Sequence, residues 1–262
     1  MKILITGGTG TIGMKLTEKF LERGDKVALF DNSEAGIFWG MDKFGDKVKF
    51  ILGSVTDRQR IIEACEGIDV VIHGAALKHV HIGEYNPYEV VKTDIIATKN
   101  VVDAAKINNC KNLVFMSSVK AVNPEGVYGS AKKVGEKIVL HAGYTATRFA
   151  NVINSKGSVF ETWREQKARG EPLTLTDKRM ERLWMTLEDA VDLIIHAIEI
   201  KGKLVISKKV ERKKVLDVIK EISNNYKETG IRPGELLKHE SMTELEKERA
   251  EEDGDYWLIS YC

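Results

Sequence analysis

The 262-residue sequence is poor in cysteine and has almost no net charge. Forty lysines and arginines against 39 aspartates and glutamates leave a formal charge of +1. No global field therefore draws in nucleic acid or an anionic membrane, and any phosphate must be held by local groups. The three cysteines, Cys65, Cys110 and Cys262, have no CxxC or paired spacing. This favours a reducing compartment over a disulfide framework, with Cys65 and Cys110 as core thiols and Cys262 as a terminal one. No apolar stretch reaches the roughly 18 residues that suggest a membrane span. Met1 runs straight into a strand pattern with no signal peptide before it, so the expectation is a cytoplasmic protein. Internal repeats and low-complexity segments are missing too. His79 and His81, with Glu84 nearby, lack a third ligand at a familiar metal spacing, so no metal site is expected.

What is present is alternation. The runs KILITG, KVALFD, KVKFILG, DVVIHGA and NLVFMSS are separated by helical patterns, the signature of βαβ units and a parallel sheet. Residues 89–107 and the stretch after Tyr128 carry apolar residues at helical spacing and should flank that sheet. Beyond Asn151 the pattern weakens to a helix near 158–169, the run LTLTD, a helix near 187–200 and the run LVIS. The tail from Ser241 to Asp255 mixes Glu and Lys densely and reads as a solvated helix. Met180, Met185 and the four tryptophans read as core or cleft wall.

The segment ITGGTGTIG sets Gly7, Gly10 and Gly13 between the first strand and the first helix. Glycine permits the tight turn, lets backbone N–H groups approach a pyrophosphate and allows close packing of helix on strand. Asp31 ends the second strand about 20 residues on, where a carboxylate binds a ribose 2′-hydroxyl. It would repel a 2′-phosphate, and Asn32 to Gly36 include no arginine to hold one, so NAD is favoured over NADP. A helix cap is the competing role for Asp31. The fold expected is α/β: a Rossmann-type doubly wound parallel sheet over residues 1–152, then a small C-terminal substrate-binding lobe over 153–262, with a return of the chain to the sheet left open.

Tyr128 and Lys132 are four apart and so share one face of a helix. An ammonium beside a phenol stabilises the phenolate, making tyrosine a base near neutral pH. Ser118, at the end of the fifth strand, can orient a substrate oxygen. Together they could take the proton of a secondary alcohol while its hydride leaves for a nicotinamide.

On these motifs, and on the strings GAALKHVHIGEYNPYEVVKTD, SSVKAVNPEGVYGSAKK, RFANVINSKGSV, PLTLTDKRMERLWMT and KETGIRPGELL, the chain resembles the extended short-chain dehydrogenase/reductase family. Within it, the likeness is to the polysaccharide-biosynthesis branch of UDP-N-acetylglucosamine 4,6-dehydratases and related epimerases. The resemblance implies NAD-dependent oxidation at C4 of a UDP-linked sugar, followed by loss of the C6 hydroxyl or by inversion. It makes Ser118, Lys120, Tyr128 and Lys132 catalytic, with Lys120 as base at C5. The cofactor would be held by Gly7, Gly10, Thr11, Ile12, Gly13, Asp31, Asn32, Ser54, Val55, Ala75, Ala76, Lys78, Tyr128 and Lys132. The substrate would meet Lys78, Asn151, Lys156, Arg182 and Arg232. A homo-oligomer pairing through the helices near 89–107 and 127–141 is also implied.

Three positions depart from the branch. Val119 stands where an aspartate is thought to protonate the leaving C6 hydroxyl. Ser54 replaces the acid that approaches adenine, and can still hydrogen-bond its amino group. Asp94 replaces an asparagine. The valine leaves dehydratase and 4-epimerase balanced, and motivates a third reading of another class, a non-catalytic NAD-binding regulatory protein.

Overall fold

The five apolar runs of the first half become strands β1 (Lys2–Thr6), β2 (Lys26–Asp31), β3 (Val48–Leu52), β4 (Val70–His73) and β5 (Asn112–Ser118) in a computed structural model describing residues 1–200 and 202–261. Cys262, expected as a terminal thiol, lies outside the described residues. A sixth strand, β6 (Thr145–Phe149), was not legible in advance, because Thr145, Thr147 and Arg148 interrupt its apolar character. The remaining strands are β7 (Asn151–Val152), β8 (Leu173–Leu175), β9 (Glu181–Met185), β10 (Leu204–Lys208), β11 (Arg212–Lys214), β12 (Tyr226–Glu228), β13 (Ala250–Asp253) and β14 (Tyr256–Ser260).

One nine-stranded sheet runs in the order β13-β14-β10-β6-β5-β4-β1-β2-β3. From β3 to β10 every pairing is parallel, and β14 and β13 then add antiparallel. This is the doubly wound Rossmann-type sheet, whose order reverses between β1 and β4 and so opens a crevice at the carboxyl ends of those strands.

Helices cover both faces. Those of the first half are α1 (Thr11–Glu22), α2 (Glu34–Phe44), α3 (Arg58–Ala64), α4 (Val80–Tyr85), α5 (Pro87–Val90), α6 (Ala97–Ile107) and α7 (Val127–His141). After them come α8 (Val159–Ala168), α9 (Leu187–Ile200), α10 (Val215–Ile222) and α11 (Glu244–Lys247). Ile61 of α3, Val101 and Ala105 of α6 and Val139 of α7 pack with Leu4, Val71 and Leu113 on one face. Leu16 and Phe20 of α1 and Leu193 and Ile194 of α9 pack with Ile3, Ile5 and Ile72 on the other. Burial on both faces is why these strands read as continuous apolar runs rather than alternating ones.

The expected helix over 89–107 is present but not regular, because a π-helical turn at Val91–Ile96 joins α5 to α6. Beyond Asn151 the chain divides. Strands β7, β9 and β11 form one small sheet and β8 and β12 another, around a separate core of Trp163, Leu173, Leu175, Met180 and Ile219. Meanwhile α9, β10, β13 and β14 return to the main sheet.

Two expectations fail here. The tail is not one solvated helix: a single helical turn, α11, precedes the β13–β14 hairpin. Its alternating Glu and Lys pattern was read without the sheet edge that recruits it, and Glu246 is buried in an ion pair. Trp163 is core and Trp184 borders the cleft, but Trp39 is 65% exposed, held edge-on by Phe38 on the outer side of α2.

Candidate active site

A cleft of about 770 Å³ opens at the crevice between the sheet and the small lobe. Its floor is the glycine-rich turn. Gly7 has φ +66, and a Cβ there would lie 2.8 Å from the Ala75 nitrogen. A Cβ on Gly13 would lie 2.4 Å from the Gly8 carbonyl oxygen. The chain thus has the backbone cradle that a dinucleotide pyrophosphate needs, at the amino end of α1. Gly7, Gly10, Thr11, Ile12, Gly13, Ala76 and Lys78 all border the cleft.

Asp31, Asn32, Ser54, Val55 and Ala75 are not among the residues bordering the cleft. The Asp31 carboxylate accepts from the Thr9 N–H at 3.0 Å, the Thr9 hydroxyl at 2.8 Å and the Ser33 N–H at 3.0 Å. It therefore ties the glycine turn to the end of β2. The cap of α2 is instead Ser33, whose hydroxyl oxygen accepts from the Gly36 N–H. The Ser54 hydroxyl lies 2.7 Å from that of Thr56.

Ser118, Lys120, Tyr128 and Lys132 meet on the same cleft. Ser118 ends β5, and its hydroxyl oxygen accepts from the Lys120 N–H at 3.2 Å, which winds Val119–Ala121 into a single 3₁₀ turn. Tyr128 and Lys132 project from the first two turns of α7, whose N-terminus is held by Glu84: its carboxylate accepts from the Val127 N–H at 2.6 Å. The Lys132 ammonium donates to the Met116 carbonyl at 2.9 Å and lies 5.9 Å from the Tyr128 ring centre. Burial and the negative charge of Asp94 push the Tyr128 hydroxyl above its ordinary pKa, while a hydrogen bond with Ser118 pulls the other way. The expectation that the Lys132 ammonium lowers the phenol's pKa is thus corrected: burial and Asp94 hold it raised. Lys132 is itself depressed by burial, and its charge is directed toward Asp94 and Glu136.

Lys120 is a second amine on the cleft whose proton is loosened. Desolvation, aided by the positive charge of Arg182 and opposed by the negative charge of Glu235, brings its pKa down to about 8. Its ammonium donates to the Asn151 side-chain oxygen at 3.3 Å, and Asn151 in turn donates to the Leu183 carbonyl. Val119 is 1% exposed and buried away from the cleft.

At the lobe end, Arg182 on β9 is buried, donating to the carbonyls of Glu181 and Leu237; desolvation lowers its pKa to about 10. Arg232 is exposed and ion-paired to Glu235 at 2.6 Å. Both border the cleft, as does Asn151. Lys156 does not. Its side chain faces solvent, and only its backbone takes part: its N–H donates to the Thr11 hydroxyl at 3.0 Å and its carbonyl accepts from the Lys78 ammonium. The sequence string placed the residue in the right loop but could not show which way the side chain turns.

Sequence reasoning missed Glu235 and His239, both on the cleft wall. His239 is held neutral by burial and by the charges of Lys120, Arg182 and Arg212. Neither stood in a spacing that marks a site. His79 immediately precedes α4 without a side-chain capping bond and His81 lies within it, their rings 6.5 Å apart. Among the described residues no group of three or more His, Cys, Asp or Glu is placed to hold a metal.

A family model described as polysaccharide biosynthesis protein matches residues 3–260. An uncharacterized membrane protein of Methanocaldococcus jannaschii is 34% identical over 98% of this chain and 85% of its own. A UDP-N-acetylglucosamine 4,6-dehydratase (inverting) of Campylobacter jejuni is 34% identical over 98% and 82%, and a UDP-glucose 4-epimerase of Rickettsia bellii is 32% identical over 98% and 82%. Among solved structures, Pen from Bacillus thuringiensis superposes with a TM-score of 0.96 at 34% identity, covering 99% of this chain and 87% of that one. A dTDP-glucose 4,6-dehydratase of Streptomyces venezuelae, solved with NAD and TYD bound, shares the fold with a TM-score of 0.85 at 16% identity, over 93% and 88%.

Proposed function

The chain belongs to the polysaccharide biosynthesis protein family, and on that premise we propose that it oxidises C4 of a UDP-linked N-acetylhexosamine with NAD and completes either a dehydration or a 4-epimerisation. The observation that carries the reading is the convergence of Ser118, Tyr128 and Lys132 with the glycine turn on one cleft. Bound NAD would be held by the turn from Gly7 to Gly13 and would supply the hydride acceptor. Tyr128 takes the proton of the C4 hydroxyl, Ser118 orients that oxygen, and Lys132 balances the charge formed. On the dehydration course, Lys120 as a neutral amine removes the C5 proton that the C4 ketone acidifies. Arg182 and Arg232 hold the diphosphate, Arg182 from a buried and fixed position. Asp31 and the lack of an arginine from Asn32 to Gly36 support NAD over NADP.

One observation favours inversion over elimination. Glu235 is the one acid among the described residues lining the cleft, and it is paired to Arg232, while Val119 is buried. Elimination needs a proton for the departing hydroxyl; inversion needs none there.

Free, buried Cys65 and Cys110 support a reducing, cytoplasmic setting, and among the described residues no helix is long and apolar enough to cross a membrane. Exposed Ile107 on α6 and Val134 on α7, with Ile96 just before α6, support pairing of two copies through these helices, which sedimentation would test.

Incubation with UDP-N-acetylglucosamine in deuterated water separates the outcomes. Deuterium at C5 with loss of the C6 hydroxyl marks a dehydratase, and a changed C4 configuration marks an epimerase. An untouched sugar with NAD bound would leave the regulatory reading standing.

A further inference from the structure

The carboxylate of Asp94 is buried in a turn that packs against α7, the helix carrying Tyr128 and Lys132, and the chemistry proposed above gives it no task. It is 1% exposed and sits in the π-helical turn Val91–Ile96. Such turns cost regular helix bonding and mark functional positions. One oxygen accepts from the Leu77 N–H at 2.8 Å, in the loop that follows β4 on the cleft edge. The other oxygen, Oδ2, is buried with no hydrogen-bond partner. A half-satisfied carboxyl at such a depth is costly unless a nearby charge acts on it.

That charge is Lys132. No direct ion pair joins the two residues, but each acts on the other's ionisation across the interior, and Asp94 acts on Tyr128 as well. The other groups facing this region are known. From α7 come Tyr128, Lys132 and, beyond the lysine, Glu136. From β4 comes His73, a neutral imidazole fixed between the hydroxyls of Thr6 and Thr98. Thr98 donates to the Asp94 carbonyl. Glu89 and Lys92, on neighbouring turns, pair with each other in solvent.

We infer that Asp94 is a positioning residue that acts through Lys132 and Tyr128, its buried, half-satisfied carboxylate offsetting the lysine's charge from the turn packed against α7. The inference rests on Tyr128 being the base. An asparagine at this place would hold Leu77 equally well and add no charge. The aspartate therefore moves the working range of the pair toward alkaline pH: with the negative charge present, phenolate formation is opposed and the lysine is partly neutralised.

The test compares NAD-loaded wild type with Asp94→Asn and Asp94→Glu. In protein carrying ¹³C-tyrosine, Tyr128→Phe assigns the ring carbon of Tyr128, whose shift reports ionisation without turnover. The expected result is that Asp94→Asn lowers the pH at which this signal begins to move by about one unit, while Asp94→Glu leaves it in place. The acid limb of kcat/KM for UDP-N-acetylglucosamine should shift in the same direction. An unchanged Tyr128 titration in correctly folded Asp94→Asn overturns the inference. Unimpaired turnover by Tyr128→Phe would instead overturn the assignment of the base, so the two failures are distinguishable.

Discussion

Lys120 is the residue whose chemistry depends most on its surroundings. In water a lysine is protonated throughout the neutral range and cannot act as a base; here desolvation and the Arg182 charge bring it to about 8. A base is active when unprotonated, so if the chain dehydrates its substrate, C5 proton removal should rise with pH through about 8 and level off above it. Lys120→Met should abolish deuterium incorporation at C5 while leaving reduction of bound NAD measurable by its absorbance. Replacing Arg182 with methionine should raise the pH of the C5 step by removing a repelling cation. It should also weaken binding of UDP, which titration calorimetry would read separately. The spacing of Tyr128 and Lys132 was enough to place both on one face. It could not reveal that the lysine ammonium is engaged by the Met116 carbonyl, because that carbonyl belongs to β5, distant in sequence.

At the scale of elements, the turn between β1 and α1 depends on contacts that admit no side chain. Gly13→Ala sets a methyl group 2.4 Å from the Gly8 carbonyl oxygen, forcing the turn apart where backbone N–H groups must converge. NAD affinity should fall by about tenfold or more, read by fluorescence titration, with little change in the core. The glycine spacing was legible because it obeys a local rule. The π-helical turn at Asp94 was not, since apolar periodicity over 89–107 looks the same whether or not one turn is widened. The tail from Ser241 misled for a related reason. Mixed Glu and Lys suit an exposed helix, yet β10 presents an open edge that β14 and β13 fill by backbone hydrogen bonding, to which side-chain charge is nearly indifferent.

Across the whole molecule, one buried ion cluster joins three remote segments. Arg148 on β6, fully buried, donates to both oxygens of Glu136 on α7 and of Glu246 on α11, each at 2.8 Å. Lys133 adds a further contact to Glu246 and the Ser117 hydroxyl one to Glu136. The helix carrying Tyr128 and Lys132 is thereby fastened to the sheet and to α11, ahead of the β13–β14 hairpin. Arg148→Met would strand two carboxylates and should cost about 3–5 kcal/mol in denaturant unfolding. Arg148 holds the Glu246 carboxyl well below its ordinary value of 4.5. A depressed carboxylate stabilises the fold above its unfolded pKa and loses that contribution as acid protonates it. The stability gap between wild type and Glu246→Gln should therefore be full above pH 4.5 and close progressively below it.

The sequence by itself determined the parallel sheet, the glycine turn and the Tyr128 and Lys132 pair, because strand burial, tight turns and helical facing are local consequences of residue type and spacing. Only the tertiary structure decided which way Lys156 turns, that Glu246 is a buried ion-pair partner, and that Lys120 and Tyr128 ionise away from their ordinary ranges. Those properties arise from burial and from charges brought together by folding, and Coulomb interactions act through space rather than along the chain.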